Sequence, residues 1–545
     1  MSAHTMAIQR MMNCARGITG RPGLPDCAAP VLPTGISRHV GSRVSALVLS
    51  AALGCGTSPA DAATWVFTPS IGLQETLTDN VDLQPAQFAK SDLVTQLTPT
   101  LTFSGVGAHA TLTGFVSAPI LFYARTGTEN NYVYPFANVV GNVEAVDKFF
   151  YVEGAASVSQ QFLTPFGAQP VSLTTATQNR YTASTYRISP YIKGVTTGNV
   201  RYELRNNSYW TTLNGSPIAT DNSFTSEWLG KIDSPVSPLG WSADFDLTDV
   251  KFQNQASQQT NLGRVGPRYA YDAQLQLHAD VGYEDNHYPF SNYRGYIYGV
   301  GVEWRPTERT SVTANWEHRF FDASYLFSFN HRTPLSVWSV NASRNITSYP
   351  EQLASLPAGS VQGLLNQLFL SRIPDPVLRQ STINSLIQDQ GLPENLSNPV
   401  TLYTQQILLQ ESASATVGLL GARNSIYATV FYLHQEPIAG SGTALPPVLA
   451  IGTLNDNTQQ GINVVWTHNL TPAVSMNLTT TALRTTANAP FSAKTNQGYA
   501  TLTVTSPLSA RTSVFAGARY QMLRANFEQG YNEAALFAGL TYTFK

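Results

Sequence analysis

His278, Asp280 and Glu284 stand at even spacing within residues 275–284, so on an extended chain their side chains share one face. An imidazole and two carboxylates on one face are the groups of a metal site or of a general acid–base set. Asp79-Asn80-Val81-Asp82 gathers two carboxylates and an amide in four positions, donors that suit Ca²⁺, although that ion takes about 6–8 oxygens. A polar turn uses the same residues. Other charges also recur at alternate positions: Arg201, Glu203 and Arg205, then Glu303, then Glu317 and Arg319, then Arg511 and Arg519. The sequence contains no Walker loop, dinucleotide fingerprint, H-E-x-x-H or G-x-S-x-G pattern. The expectation is therefore a protein that is not an enzyme, with no catalytic residue, metal or cofactor, whose alternating charges line one face of a wall.

That wall must come from strands. Over 293–305, Tyr296, Tyr298, Val300, Val302 and Trp304 lie on one face, with Gly295, Ile297, Gly299, Gly301 and Glu303 on the other. The same period of two places Leu275, Leu277, Ala279, Val281 and Tyr283 opposite Gln276, His278, Asp280 and Glu284. It also sets Val312, Ala314 and Trp316 against Thr313, Asn315, Glu317 and Arg319. A soluble sandwich shows this alternation too, so composition and length must decide. Charged residues make up 12% of the 545, against about 25% in an ordinary soluble domain, while 43% are hydrophobic and 11% aromatic. With a formal charge of −2, basic nucleic-acid binders and charge-rich disordered chains are excluded, and nucleic acid is not an expected partner.

The recurring segments are 10–14 residues long, beyond the soluble mode of about 5–6 and suited to a tilted membrane strand. Short connections (104–107, 194–198, 234–238, 272–274, 305–309, 333–335, 470–473 and 506–510) alternate with longer polar ones (78–90, 125–137, 164–178, 253–258 and 437–456), the habit of outer-membrane barrels. Trp304, Trp316, Trp338 and Trp466 fall near strand ends, where an aromatic girdle would sit. The expected fold is all-β: a large antiparallel transmembrane barrel of about 22 strands (range 18–24), spanning residues 64–545. Residues 350–399 break the pattern with helix-like stretches at 360–371 and 376–390, an insertion expected over or in the extracellular mouth.

Residues 1–63 read as a long basic extension and signal peptide: five arginines, the apolar run 44–55, and an Ala60-Asp61-Ala62 site before Ala63. Cys14, Cys27 and Cys55 leave with it, and the formal charge moves to −5, since five basic and two acidic residues are lost. A cysteine-free mature chain has no disulfide or thiol chemistry. At the other end, Gly539-Leu540-Thr541-Tyr542-Thr543-Phe544 has the G-x-x-aromatic-x-aromatic spacing of a barrel-assembly signal, carried by Gly539, Tyr542 and Phe544 and followed by Lys545. On such a barrel Arg201, Glu203, Arg205, His278, Asp280, Glu284, Glu303, Glu317, Arg319, Arg511 and Arg519 are expected to line the lumen. The physical reason is that Arg or Lys on the lipid face costs about 2–4 kcal/mol at the midplane.

Five strings lie along the mature chain: Gln74–Leu83 (QETLTDNVDL), Ser91–Pro99 (SDLVTQLTP), Gly282–Asn286 (GYEDN), Trp304–Thr310 (WRPTERT) and His331-Arg332-Thr333 ahead of Trp338. Together they resemble the exosortase-associated (PEP-CTERM system) outer-membrane β-barrel family. The resemblance implies a Gram-negative outer-membrane pore tied to exopolysaccharide export or surface assembly, and supplies no catalytic residues. Its implied partners are outer-membrane lipid, the barrel-assembly machinery, polysaccharide and periplasmic export components. Two alternatives stay open: a non-catalytic scaffold or sheath for a periplasmic electron-transfer partner, and a general polar-solute porin. A ligand-gated active transporter fits less well, because strand-like sequence begins within a few residues of the cleavage site and leaves no room for a plug domain.

Overall fold

A computed structural model of the chain describes residues 64–215, 221–354, 366, 379, 399–400, 403–441, 456–488 and 492–544. The expected signal peptide lies outside these residues, as do the two expected helices except Asn366 and Arg379, which are both helical. Twenty-four strand segments, every pairing antiparallel, form one closed sheet, from Thr64–Thr78 to Tyr531–Thr543, which pair with each other to shut it. Two barrel strands are each split in two: Ala110–Ser117 continues as Ile120–Tyr123, and Tyr132–Val133 continues as Phe136–Val146. Pro119 and Pro135 sit at the breaks, because proline has no N–H for the ladder. The closed wall is therefore a 22-stranded antiparallel barrel of the large outer-membrane type.

Register fixes the two faces. Trp304, Trp316 and Trp338 point outward and are 42–46% exposed, while Ile297, on the opposite face of the strand that carries Trp304, is 1% exposed. Trp466 also points outward, half-buried, with its indole N–H donating to Asn424. On the closing strand Leu536, Leu540, Tyr542 and Phe544 face out, and Tyr542 meets Phe544 edge-on at 4.9 Å. Gly539 faces in. A Cβ there would come within 2.5 Å of the ring of Phe515, the residue directly opposite, so the glycine makes room for an aromatic that covers the strand pair.

All ten connections at the end of the barrel holding Thr64 and Thr543 are short. The connections at the other end include the long ones, and several turn into the lumen. Residues 163–179 pass inward and lie against the inner faces of distant strands: Phe166 is fully buried, and Gln497 Nε2 donates to the carbonyl of Gly167 (3.2 Å). The first described residues of the insertion enter the lumen as well. Its first turn is a helix, Tyr349–Ala354, that begins one residue before the expected boundary.

Candidate functional site

The inner wall is a lattice of charges, and the pairing register decides which of them meet. Arg201, Glu203 and Arg205 face the lumen on the strand Arg201–Asn214, near the short-turn end. Arg205 Nε donates to Glu203 Oε1 (3.0 Å) while its guanidinium stacks 3.9 Å over Tyr191. His278 and Asp280 face inward 3.6 Å apart, and the imidazole lies over Gly301, where a Cβ would come within 2.3 Å of the ring. Glu284, on the same face, has a different partner. Its carboxylate accepts from Arg319 Nη2 (2.7 Å), Arg319 Nε (3.2 Å) and the Phe320 N–H (2.7 Å), and both side chains of the pair are at most 3% exposed. The three residues with metal-site chemistry are thus divided between two tasks, covering a glycine and anchoring a buried ion pair.

Glu317 accepts from Arg264 Nη1 (2.5 Å), and Arg264 also holds Asp244 through Nε (2.9 Å). Glu303 pairs with Arg305 at 3.6 Å. Arg519 makes a two-toothed contact with Glu533 (2.7 and 3.2 Å), and Thr78 donates to the same carboxylate from the first strand (2.8 Å). Arg511 departs from expectation: it lies exposed in the turn 508–511, outside the strand alternation on which a lumen position depends. Asp79 accepts from the Ala534 N–H (2.8 Å), Asn80 brackets Gln84 and Asn532, and Asp82 accepts from Asn130, so that acidic string ties its loop to the wall.

A bridge crosses the lumen at the long-loop end. The helix Tyr349–Ala354 follows the strand Ser336–Thr347, yet Tyr349 meets Tyr181 on Arg180–Val195, nine strands away around a wall of 22. Tyr403 meets Tyr349 edge-on at 5.2 Å and Tyr181 at a tilt at 6.3 Å, and its hydroxyl accepts the Asp221 N–H (3.3 Å). Leu163, Ala183 and Leu213 complete this apolar knot. Residues 163–179 add a second obstruction. Thr174 and Thr175 are fully buried against Arg519, and the Val171 N–H donates to Gln521. Arg264, Asp244 and Glu533 sit at alternate positions and were available from the strand period; the tyrosine knot has no sequence signature, because its members come from loops and strands far apart.

Glu351 lies in the bridging helix, half-buried, accepting from the Ser348 N–H (2.6 Å). Burial pushes its carboxyl up to about 7; hydrogen bonds from Ser348 oppose this, and the wall carboxylates Glu227 and Asp246 add to it. Tyr209 and Tyr288 are the other titratable groups near it. A released bridge would carry a carboxyl near the ordinary 4.5, so between about 4.5 and 7 the docked form binds more protons than the released one. Docking therefore weakens as pH rises through that window and is constant above it. The expected result is a higher open probability at pH 8 than at pH 5 in planar bilayers, with the difference removed in Glu351→Gln.

The short-turn end is open and basic. A cavity of about 920 Å³ is lined by Lys148, Lys193, Arg201, Lys231, Arg268 and Arg305 against Glu203, Asp233 and Glu303. Asp233 holds Arg268 (3.3 Å) and Lys231 (3.6 Å), whereas the Lys193 ammonium lies 4.4 Å over the ring of Tyr151. Six cations facing three anions give this vestibule a positive field.

No protein-family profile and no curated protein matches the chain. Among solved structures, the siderophore receptor PirA from Pseudomonas aeruginosa is similar at 10% identity over 90% of this chain and 82% of that one, with a TM-score of 0.42. The siderophore receptor PirA from Acinetobacter baumannii gives 9% identity over 89% and 81%, with a TM-score of 0.43. OpdO from Pseudomonas aeruginosa gives 10% identity over 88% and 97%, with a TM-score of 0.28.

Proposed function

We propose that the chain is a non-catalytic pore of the Gram-negative outer membrane, closed at rest by its own loops, that serves export or surface assembly of an exopolysaccharide. The carrying observation is the basic vestibule beneath an internally paired polar wall. Paired charges bind solutes weakly, and the hydroxyl and amide groups between them exchange hydrogen bonds with sugars. Excess positive charge at the short-turn mouth, which faces the periplasm in this reading, favours acidic saccharides. The family resemblance of the strings at 74–83, 91–99 and 304–310 supports the polysaccharide association. In the same reading Gly539, Tyr542 and Phe544 present the closing strand to the assembly machinery.

Two measurements test this. Purified protein in planar bilayers gives conductance, and in a channel freed of its bridge the reversal potential in a KCl gradient shows anion preference. Lys193→Gln with Arg201→Gln is expected to reduce that preference at unchanged folding. A deletion strain is expected to retain polysaccharide in the cell; normal secretion overturns the export role while leaving a general porin intact.

A further inference from the structure

The outer face of the barrel carries a second charged feature, on the strands Asn457–Asn469, Ser475–Ala487, Lys494–Pro507 and Thr512–Ala525. These four strands contain no carboxylate. Their outward basic side chains, Arg484, Lys494 and Arg524, all lie at the long-loop end. The register sets Arg484 directly opposite Asn496, and Asn496 opposite Arg524, so two guanidiniums flank one amide at a single level. Lys494 stands one row higher, opposite Thr486.

Below them the surface turns mainly apolar. The next outward rows hold Ile462, Ala482 and Met522 beside Asn532, then Val464 and Tyr520 with Thr480, then Leu502 and Leu536. From Met522 to Val514 this band covers about 27 Å of strand, or about 20 Å of bilayer after tilting. Arginine is tolerated on a lipid face only near its edge. The three cations thus mark the level of the headgroups.

Their geometry is set in advance. Arg484 Nε donates to Asn496 Oδ1 (3.2 Å), and Arg524 Nη1 donates to the carbonyls of Leu523 and Tyr531 (both 3.0 Å), leaving the remaining N–H groups of each free to donate outward. Beside Arg524 lies a groove of about 600 Å³ whose lining includes Gln87, Gln529 and Asn532. Asp79 lines it too, with its carboxylate turned onto the Ala534 N–H (2.8 Å). Glu528, in the adjoining turn, lies near the phenol of inward-facing Tyr531.

The geometry points to a binding site for a phosphorylated glycolipid of the outer leaflet: phosphates on Arg484, Lys494 and Arg524, sugar amides and hydroxyls in the groove, and acyl chains on the apolar rows below. This rests on the outer-membrane reading, which sets the long loops outward, but not on conduction. Cation pairs at planar spacing suit phosphate oxygens, and the amide-lined groove suits sugar rather than a simple phospholipid head.

The test uses the full chain refolded in detergent, with bisphosphorylated lipid A and its dephosphorylated form as probes, read by native mass spectrometry. The wild type is expected to retain the phosphorylated lipid about tenfold more tightly, with millimolar inorganic phosphate failing to displace it. Arg484→Gln/Lys494→Gln/Arg524→Gln is expected to lose that preference, and Arg484→Lys/Arg524→Lys to keep part of it. Heat-modifiable migration on gels verifies folding of each variant. Equal retention of both lipids by the wild type, displacement by free phosphate, or an unchanged preference in a folded triple variant overturns the site. Selective retention by a protein that conducts nothing overturns the pore instead.

Discussion

Excising residues 349–406 and joining Ser348 to Ile407 through a short glycine–serine turn raises single-channel conductance several-fold without unfolding the barrel. The register makes this excision feasible. Thr347 and Leu408 are direct partners, so the strands Ser336–Thr347 and Leu408–Leu420 need only a hairpin turn between them. What is lost is the bridge: Tyr349 against Tyr181, Tyr403 against both, and the contact of Gln405 Nε2 with Asp221 (2.5 Å). Bilayer recordings of the excised and full-length proteins decide the matter. Equal conductance would mean that the bridge closes nothing and that the obstruction belongs to residues 163–179 alone. A partial version, Tyr349→Ala, removes the centre of the aromatic knot and is expected to give flickering openings at full-length stability.

Arg519→Met destabilises the barrel by about 3–5 kcal/mol, because it strands the Glu533 carboxylate where it has no access to water. Glu533 is fully buried and the Arg519 side chain is 3% exposed. Losing the guanidinium leaves only the Thr78 hydroxyl as a donor to that carboxylate among the described residues. An exposed pair such as Lys251–Asp249, with side chains 61% and 28% exposed, is worth about 0–1 kcal/mol, so the two pairs make a direct contrast. The double change Arg519→Met/Glu533→Leu is expected to recover most of the loss, since a buried pair replaced by apolar groups of similar size is about neutral. Denaturant unfolding in lipid vesicles reads the cycle. If the single variant unfolds at the wild-type midpoint, the pair is not a structural clamp.

The strand period exposed most of the wall and little of what fills it. Alternation in segments such as 275–287 and 311–319 follows directly from having lipid on one face, so ten of the eleven proposed inner-wall residues point inward in the structure. Arg511 stands just beyond a strand end, where period two no longer constrains a side chain. The division of His278 from Glu284 was hidden for another reason. It depends on which neighbouring strand offers Gly301 or Arg319 at the right level, and register is set by pairing, which one strand's sequence does not contain. The crossing of the lumen by Tyr349 and Tyr403 was hidden further still, since those contacts join loop residues to a strand on the far wall. An apolar face on the 350–399 insertion indicated that something must cover it, but not which part of the barrel.

The contacts of Arg519 also impose an order on assembly. Residues 163–179 belong to the first third of the chain, yet the side chains that grip them, Gln497, Arg519 and Gln521, lie in the last tenth, and Glu533 joins the first strand through Thr78. A loop of that length cannot be threaded through a wall already shut. It must be waiting inside the curling sheet when the final two hairpins arrive, so that the step that seals the seam also latches the obstruction. Closure of the cylinder and closure of its interior are then a single event, and the barrel is locked from the moment it forms.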